Sequence, residues 1–567
     1  MNRRMARTPL FAAVDRALRI ARAAERAGVP VPEAVERERE ARSRAGGASR
    51  PAASPAMSRR RFLAAGATAA AGLALPGCVT RYPRGAVAAP GPGGDPVIVV
   101  GAGIAGLTAA YRLAAAGVPV VVIEAQDRVG GRMWSLRDRF ADGQVVELGG
   151  ELIDTGHTAI RGLADELGIA LDDLSREVPA LSTDLWFFGG RRRSDAEVVE
   201  AFRFLVPRID EALATIEGDG SVTYDAPAGA EPLDRTSLAE WLDGAGVSGW
   251  FRDLLDVAYT TEYGLETGEQ SALNFLLMID PEPEPFRIFG ESDERFRVHE
   301  GNDAIPGELA RRLGDRVRTA TLLEAVRRGP DGRLRCSLRS GGTSREMAAG
   351  HVVLAIPFTL LRDVRLDLDL PEVKRRAIAD LGYGTNAKLM AGFSERMWRT
   401  RHGSNGSVVT DLPFQLVWET SRGQEGRAGV LTNFTGGRHG VEVGKGTAAA
   451  QAERLVAGLD RVFPGVAAAH AGMEAVRFHW PSFRWSRGSY ASYRVGQWTS
   501  IAGAEGERVG NLLFAGEHCS LEAQGFMEGG CETGERAARE VLADLGIAAP
   551  AAATRSARHR AALRGAA

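Results

Sequence analysis

Gly101-Ala102-Gly103-Ile104-Ala105-Gly106 stands where a β-branched run (residues 97–100) meets an Ala/Leu-rich stretch with helical character (residues 104–116) that Gly117 stops. A second β-branched run, residues 118–123, ends at Glu124 and Ala125. Strand, glycine turn, helix and strand are the parts of a dinucleotide-binding unit. Gly101 makes the tight turn, Gly103 lets a pyrophosphate approach the backbone, and Gly106 lets helix and strand pack closely. The helix N-terminus at Ile104 and Ala105 offers free N–H groups and partial positive charge to phosphates. A carboxylate about twenty residues on, here Glu124, accepts hydrogen bonds from ribose hydroxyls and repels a 2′-phosphate. The motif does not separate FAD from NAD.

Lys388 is the second residue of interest. It interrupts a strand-like apolar run, Gly384-Thr385-Asn386-Ala387-Lys388-Leu389-Met390. A charged amine inside such a strand is costly unless solvated or paired, so the position is either functional or an edge-strand lysine reaching solvent. His157, His299, His351, His479 and His518 show no paired metal-ligand spacing. No hydrolase nucleophile elbow precedes a helix.

Arg128-Val129-Gly130-Gly131-Arg132 follows Glu124 closely, and Glu147-Leu148-Gly149-Gly150 comes next. A second glycine pair with flanking arginines adds backbone donors and cations for a buried pyrophosphate. Near the far end stand Phe514-Ala515-Gly516-Glu517-His518, Gly525-Phe526-Met527-Glu528-Gly529-Gly530 and Gly534-Glu535-Arg536. With these segments the sequence resembles the flavin amine oxidase family, which includes monoamine, polyamine and L-amino-acid oxidases. The resemblance spans residues 97–545, strong at both ends and weaker between. It implies FAD on both arginine–glycine elements, with Glu517 taking ribityl or pyrophosphate-side hydrogen bonds. A helix N-terminus near Met527 would face the flavin pyrimidine edge, where it stabilises negative charge. Leu323 is expected against the adenine.

The resemblance also assigns chemistry. Family members move hydrogen from the substrate α-carbon to flavin N5, and Lys388 falls where a lysine bound to N5 through a water assists reaction with oxygen. Tyr490 and Phe526 fall at the two rings that flank the amine. Ser489 takes the place of the cysteine that anchors flavin in covalent members; a hydroxyl cannot make that thioether, so the FAD is expected to be non-covalent. L-amino-acid oxidases place an arginine shortly after the second glycine pair, where this chain has Glu151, Leu152, Ile153 and Asp154. Carboxylate capture is disfavoured, with Arg484 or Arg487 as alternative clamps. Glu151 is expected either to attract a second cation, as in a polyamine, or to make a polar contact with nearby backbone. Trp480, Phe483, Trp485 and Trp498 suggest an aromatic pocket wall. The preferred reading is an amine oxidase using O2; the alternatives are an L-amino-acid oxidase and a non-catalytic exported flavin-binding protein.

The elements that must position these residues need a long chain. Its 567 residues exceed one ordinary core. The expected fold is α/β: a three-layer, Rossmann-like FAD-binding domain with an α+β substrate domain. The FAD domain is drawn from residues 97–157, 298–357 and 500–546, the substrate domain from 158–297 and 358–499. Residues 158–286 read as mostly helical. Residues 302–313 read as a helix started by Pro306, and residues 316–324, 334–338, 351–356 and 511–514 as strands. Residues 527–545 read as a closing helix. A net charge of -2 leaves no cationic surplus for nucleic acid. The four cysteines, Cys78, Cys336, Cys519 and Cys531, are too few for a disulfide framework; Cys519 and Cys531 read as buried thiols that an exported protein could oxidise.

The front end reads as an address. Ser58-Arg59-Arg60-Arg61-Phe62-Leu63 precedes a short Ala/Gly/Leu run ending at Leu75-Pro76-Gly77-Cys78. A cationic patch, an apolar run shorter than the ~20 residues of a membrane span, and small residues make a signal peptide. Paired arginines before Phe-Leu resemble the twin-arginine export signal, which carries folded proteins out of the cytoplasm to a periplasmic or extracellular destination. Cys78 could carry lipid. Residues 1–78 thus hold an extension plus this signal, residues 79–96 a Pro/Gly-rich linker, and residues 547–567 a disordered basic tail. Leu10, Phe11, Val14, Ala17, Leu18 and Ala21 share one helical face, so the extension is either amphipathic or precedes a true start at Met57.

Overall fold

The computed structural model describes residues 17–18, 20–25, 28–38, 95–176, 181–182, 185–218, 221–278 and 293–548. The address at residues 58–78, the linker before residue 95 and all but two residues of the expected tail lie outside the described residues.

Strand β1 (Val97–Val100), helix α1 (Ile104–Ala115) and β2 (Val120–Ile123) form the expected βαβ unit. Then come α2 (Thr158–Leu167), the pair β3 (Leu185–Phe188) and β4 (Arg191–Arg193), and a helical stretch that includes α3 (Gly249–Tyr263). Helix α4 (Ala304–Leu313) precedes β5 (Val317–Arg318) and β6 (His351–Leu354). Next are β7 (Ala387–Phe393), β8 (Val408–Thr410), β9 (Leu416–Glu419), β10 (Gly429–Thr435) and β11 (Ala475–His479). The chain closes on β12 (Leu512–Phe514) and α5 (Met527–Asp544).

Five strands pair in parallel in the order β12-β6-β1-β2-β5. Both faces are covered, which is why β1, β2 and β12 read as unbroken apolar runs. Val97, Val99, Val120, Val122 and Leu513 point to the side packed by α1, α2, α4 and α5. Ile98, Val100, Ile123, Leu354 and Phe514 point to the other side, against a sheet of Thr321–Arg328, Leu334–Ser340, Thr343–Ala349 and Arg365–Asp367. This is the expected three-layer α/β arrangement. Helix α5 lies directly on α1, because a Cβ at Gly534 would fall 2.3 Å from the Ala105 carbonyl oxygen and one at Gly530 2.6 Å from Ile104 Cγ2.

Three local expectations change. The single strand read over residues 316–324 is two strands in different sheets. Ala320, at φ 50°, breaks the run, and its N–H donates to Gln126 O while Thr321 N–H donates to Glu124 O. That bend carries Leu323 past the end of β2. Pro306 does not start α4 but sits two residues inside it, within the first turn, where a missing N–H costs nothing. Within residues 158–286, β3 and β4 join a sheet; Gly189 and Gly190, both at positive φ, make the hairpin turn that the helical reading passed over.

The second large sheet has the order β11-β7-β10-β9-β8-β3-β4. Alternation along β7 sends Leu389, Ala391 and Phe393 to a core shared with helix Ala448–Val462. Lys388 and Met390 therefore face the opposite side, with Leu416, Trp418 and Phe434 of β9 and β10. Residues 20–25 and 31–38 are helical and pack on this sheet's helical layer. Leu18, Ala21, Ala24 and Val31 join one buried cluster with Val198, Phe202, Ile209 and Phe251, and Arg22 meets Asp210 at 2.7 Å. Ala17, Leu18 and Ala21 of the expected apolar face are thus buried, and Leu10, Phe11 and Val14 lie outside the described residues.

Candidate functional site

The glycine turn comes first. Gly101 has φ 103°, and a Cβ there would stand 2.5 Å from Ala355 O. A Cβ at Gly106 would stand 2.0 Å from Gly101 O, so this glycine serves helix–strand contact. At Gly103 a Cβ would meet nothing within 4 Å. The second glycine therefore opens onto space at the N-terminus of α1, where no side chain caps the helix. Glu124 is buried, and its two oxygens accept from Ala102 N at 2.9 Å and Gln126 N at 2.8 Å. Burial raises its carboxyl above the ordinary value, against those amide bonds.

That space belongs to one connected cavity of about 640 Å³. Of the residues expected at the cofactor, Gly101, Gly103, Ile104, Ala105, Glu124, Ala125, Gly130, Gly131, Arg132, Gly149, Gly150, Leu323, Gly516, Glu517, Phe526 and Met527 all line it. So do Lys388 and Tyr490. Residues hundreds of positions apart thus share one wall.

Two expected residues do not line the cavity. Gly106 serves packing, as above. Arg128 stacks over the Trp134 ring at 3.8 Å and donates to Val129 O and Gly131 O, so it shapes the glycine loop from behind. Its burial lowers the guanidinium to about 10. Glu517 lines the cavity but acts as a brace: its carboxylate accepts from Arg132 at 2.7 Å, Ala491 N at 3.2 Å and Gly525 N at 2.8 Å.

Lys388 is buried, at 4% exposure, so the solvent-reaching edge lysine is ruled out. Its Nζ donates to Glu147 O at 3.1 Å, Gly149 O at 2.9 Å and Glu151 Oε2 at 2.7 Å. Glu151 Oε1 accepts from Trp418 Nε1 at 2.9 Å and from the Thr420 hydroxyl. Burial pushes the Glu151 carboxyl up, but the Lys388 charge, its bond, and the Thr420 and Trp418 bonds outweigh burial and hold it below the ordinary value. The cation that Glu151 holds is therefore Lys388, in place of the second substrate cation or the backbone contact expected for it.

Tyr490 donates to Glu262 O at 2.7 Å, at the end of α3. Phe526 caps α5 and packs edge-on against His157 at 5.0 Å between centroids. Burial, then the Arg161 charge, lowers His157 to about 3, so this ring is neutral. Glu528, at the second position of α5, accepts from Ala159 N and Ile160 N, both at 2.8 Å, and so caps α2 from across the fold.

Of the expected aromatic wall, Trp480, Phe483 and Trp485 line the cavity. Trp498 does not; it is buried against Tyr493 and donates to Asn274 Oδ1. Trp418 and Phe434 line the cavity instead. Sequence reasoning missed them because an aromatic on an apolar strand looks the same whether it faces core or cavity. Arg487 pairs with Asp363 at 2.6 Å, and Arg484 lies over the Trp485 ring.

A family model for flavin containing amine oxidoreductases matches residues 104–542. The chain belongs to this family. The chain is 27% identical over 474 residues to a flavin-containing amine oxidase of Danio rerio, covering 79% of this chain and 86% of that one. It is 26% identical over 483 residues to an L-amino acid dehydrogenase of Synechocystis sp., covering 78% and 94%. The fold resembles wild-type putrescine oxidase bound to putrescine, with TM-score 0.66, 24% identity, and 79% and 99% coverage.

The protein is accordingly a flavin-dependent amine oxidase with FAD as cofactor. The site fits that group by its own geometry: the open approach at Gly103, uncapped α1 amides and a cavity continuing to Lys388. Ser489 lines the cavity with its hydroxyl bonded to Asn386 Oδ1 at 2.6 Å. Cys336, Cys519 and Cys531 are free and buried, and Cys78 lies outside the described residues. Among the described residues no metal-binding group of His, Cys, Asp or Glu occurs, and no helix is long and apolar enough to cross a membrane.

Proposed function

We propose that the protein deaminates a primary or secondary amine oxidatively, with oxygen as acceptor: amine, O2 and water give a carbonyl compound, ammonia or a smaller amine, and hydrogen peroxide. Bound FAD supplies the two-electron acceptor. The observation that carries this reading is that Lys388, Tyr490 and Phe526 open into the cavity that the glycine turn lines. Tyr490 and Phe526 present aromatic faces to a substrate amine, Tyr490 held by its bond to Glu262 O and Phe526 by His157. Trp418, Phe434 and Trp480 make the surroundings apolar and favour a substrate whose amine enters neutral. FAD is held without a covalent bond, since Ser489 offers only a hydroxyl.

Residues 97–157, 298–357 and 500–546 serve as the FAD-binding unit in this reading, and residues 158–297 and 358–499 as the substrate unit. Export by the twin-arginine route rests on residues 58–63 of the sequence. Replacing Arg60 and Arg61 by lysine and following the protein by cell fractionation tests it.

An L-amino-acid substrate is the second reading, favoured by Arg484 and Arg487 in the cavity wall and by the similarity to an L-amino acid dehydrogenase. The Asp363 carboxylate that already holds Arg487 weighs against it. A panel of amines and amino acids, read by peroxide release, tests both. Anaerobic flavin bleaching by phenethylamine but not phenylalanine is expected; the reverse would favour the second reading, and no turnover at all would sink both.

A further inference from the structure

The Lys388 ammonium has three N–H donors and no acceptor. Three acceptors meet it: Glu147 O, Gly149 O and Glu151 Oε2. Glu151 is itself buried at 9% exposure and tethered through its other oxygen by Trp418 Nε1 and the Thr420 hydroxyl. The carboxylate cannot swing away without breaking both tethers. The ammonium cannot turn into the cavity without leaving the carboxylate. A positive and a negative charge 2.7 Å apart present a dipole to the cavity wall where an unpaired lysine would present a whole charge.

We propose that Glu151 is a positioning residue that damps the positive charge Lys388 presents to the cofactor, and so limits how fast oxygen takes up electrons. The inference rests on the reading of Lys388 as the oxygen-side lysine. Oxygen gains negative charge as it is reduced, and a fixed cation nearby stabilises that charge in a water-poor site. A cation already paired does so less. The overall transfer balances: two electrons and two protons pass from the reduced cofactor to O2, leaving oxidised cofactor and hydrogen peroxide.

The test needs no amine substrate. Holoenzyme is reduced chemically under anaerobic conditions and mixed with oxygenated buffer, and flavin reoxidation is followed. Glu151→Gln is expected to raise the bimolecular rate on the order of tenfold, the effect of one uncovered charge in a partly screened interior. Sulfite, an anion that reads local positive charge at the oxidised flavin, is expected to bind more tightly by a similar factor. Glu151→Asp keeps the charge and should stay near the parent in both readouts. Adding Lys388→Met to Glu151→Gln should erase both gains.

A readout on the apoprotein stands apart from the cofactor. Glu151→Gln and Lys388→Met should each lower the melting temperature, and the double variant should lose less than their sum. If Glu151→Gln does not fold, Thr420→Val, which removes one tether, should shift both flavin readouts the same way by a smaller factor. Unchanged or slower reoxidation with unchanged sulfite affinity, or additive melting losses, would overturn the proposal. A Glu151-dependent reoxidation without turnover of any amine or amino acid would leave this inference standing and defeat the proposed function. Amine turnover with reoxidation indifferent to Glu151 would do the opposite.

Discussion

Arg132 and Glu517 meet at 2.7 Å across 385 residues of sequence. The same guanidinium donates to Ser489 O at 2.9 Å, and the same carboxylate accepts from Ala491 N and Gly525 N. One ion pair therefore ties the second glycine element to the segment carrying Tyr490 and to the loop that delivers Phe526 and α5. Each of those stretches lines the cavity.

Arg132→Met keeps an unbranched apolar stem and removes the guanidinium, leaving the buried Glu517 carboxylate without this cation and held by the Ala491 and Gly525 amides. The expected cost is about 3 kcal/mol in chemical unfolding of the apoprotein, together with weaker FAD retention on dialysis. A variant as stable and as yellow as the parent would show that the brace is dispensable.

Gly103 and Gly106 separate cofactor binding from folding. A Cβ at Gly103 meets no protein atom within 4 Å, so Gly103→Ala should leave the apoprotein's melting temperature nearly unchanged while FAD affinity falls on the order of tenfold. Gly106→Ala places its methyl 2.0 Å from Gly101 O and should destabilise the fold itself, by about 1–3 kcal/mol or more. Flavin fluorescence titration and apoprotein melting, run on both variants, check the contrast.

The N-terminal extension carries a separate expectation. Ala21 and Ala24 are fully buried against the helical layer of the seven-stranded sheet. An aspartate at either position buries an unpaired charge and should cost ~3 kcal/mol, with the absorption spectrum of bound FAD unaltered because neither residue lines the cavity. Thermal melting of full-length holoenzyme measures it. No loss would mean that this packing does not contribute.

Stability should peak in mildly acidic solution. Burial pushes the carboxyls of Glu147, Glu505 and Glu528 up to about 7 from 4.5. Groups raised on folding add stability below their unfolded value and lose it as pH rises through the folded one. Burial holds His157 and His518 down to about 3 from 6.5, so their contribution is present above 6.5 and is lost as pH falls. The two sets oppose one another between 4.5 and 6.5, and each acts alone outside that window. Melting temperature against pH should therefore fall on both sides, with Glu528→Gln flattening the alkaline limb and His518→Asn the acidic one.

FAD released by denaturation is the last expectation. Acid precipitation should leave a colourless pellet and a yellow supernatant, since Ser489 supplies no thiol. A yellow pellet would point to attachment elsewhere.

Short-range patterns carried most of what the sequence determined. The β1–α1–β2 unit, the roles of Gly101, Gly103 and Gly106, and the start of α5 at Met527 all follow from local turn chemistry, where backbone geometry and side-chain size are fixed within a few residues. Lys388 was legible as an anomaly for the same reason, a charge in an apolar strand. Its partner was not. Glu151 lies 237 residues away, and only the register that brings β7, β9 and the second glycine pair together makes it a counterion. Tertiary packing likewise put Trp418 and Phe434 on the cavity, removed Trp498, turned Arg128 into a brace behind the glycine loop, and made Glu517 a brace within the wall it lines. Those outcomes depend on which neighbour satisfies each buried polar group or ring, a choice made between distant segments that no local spacing encodes.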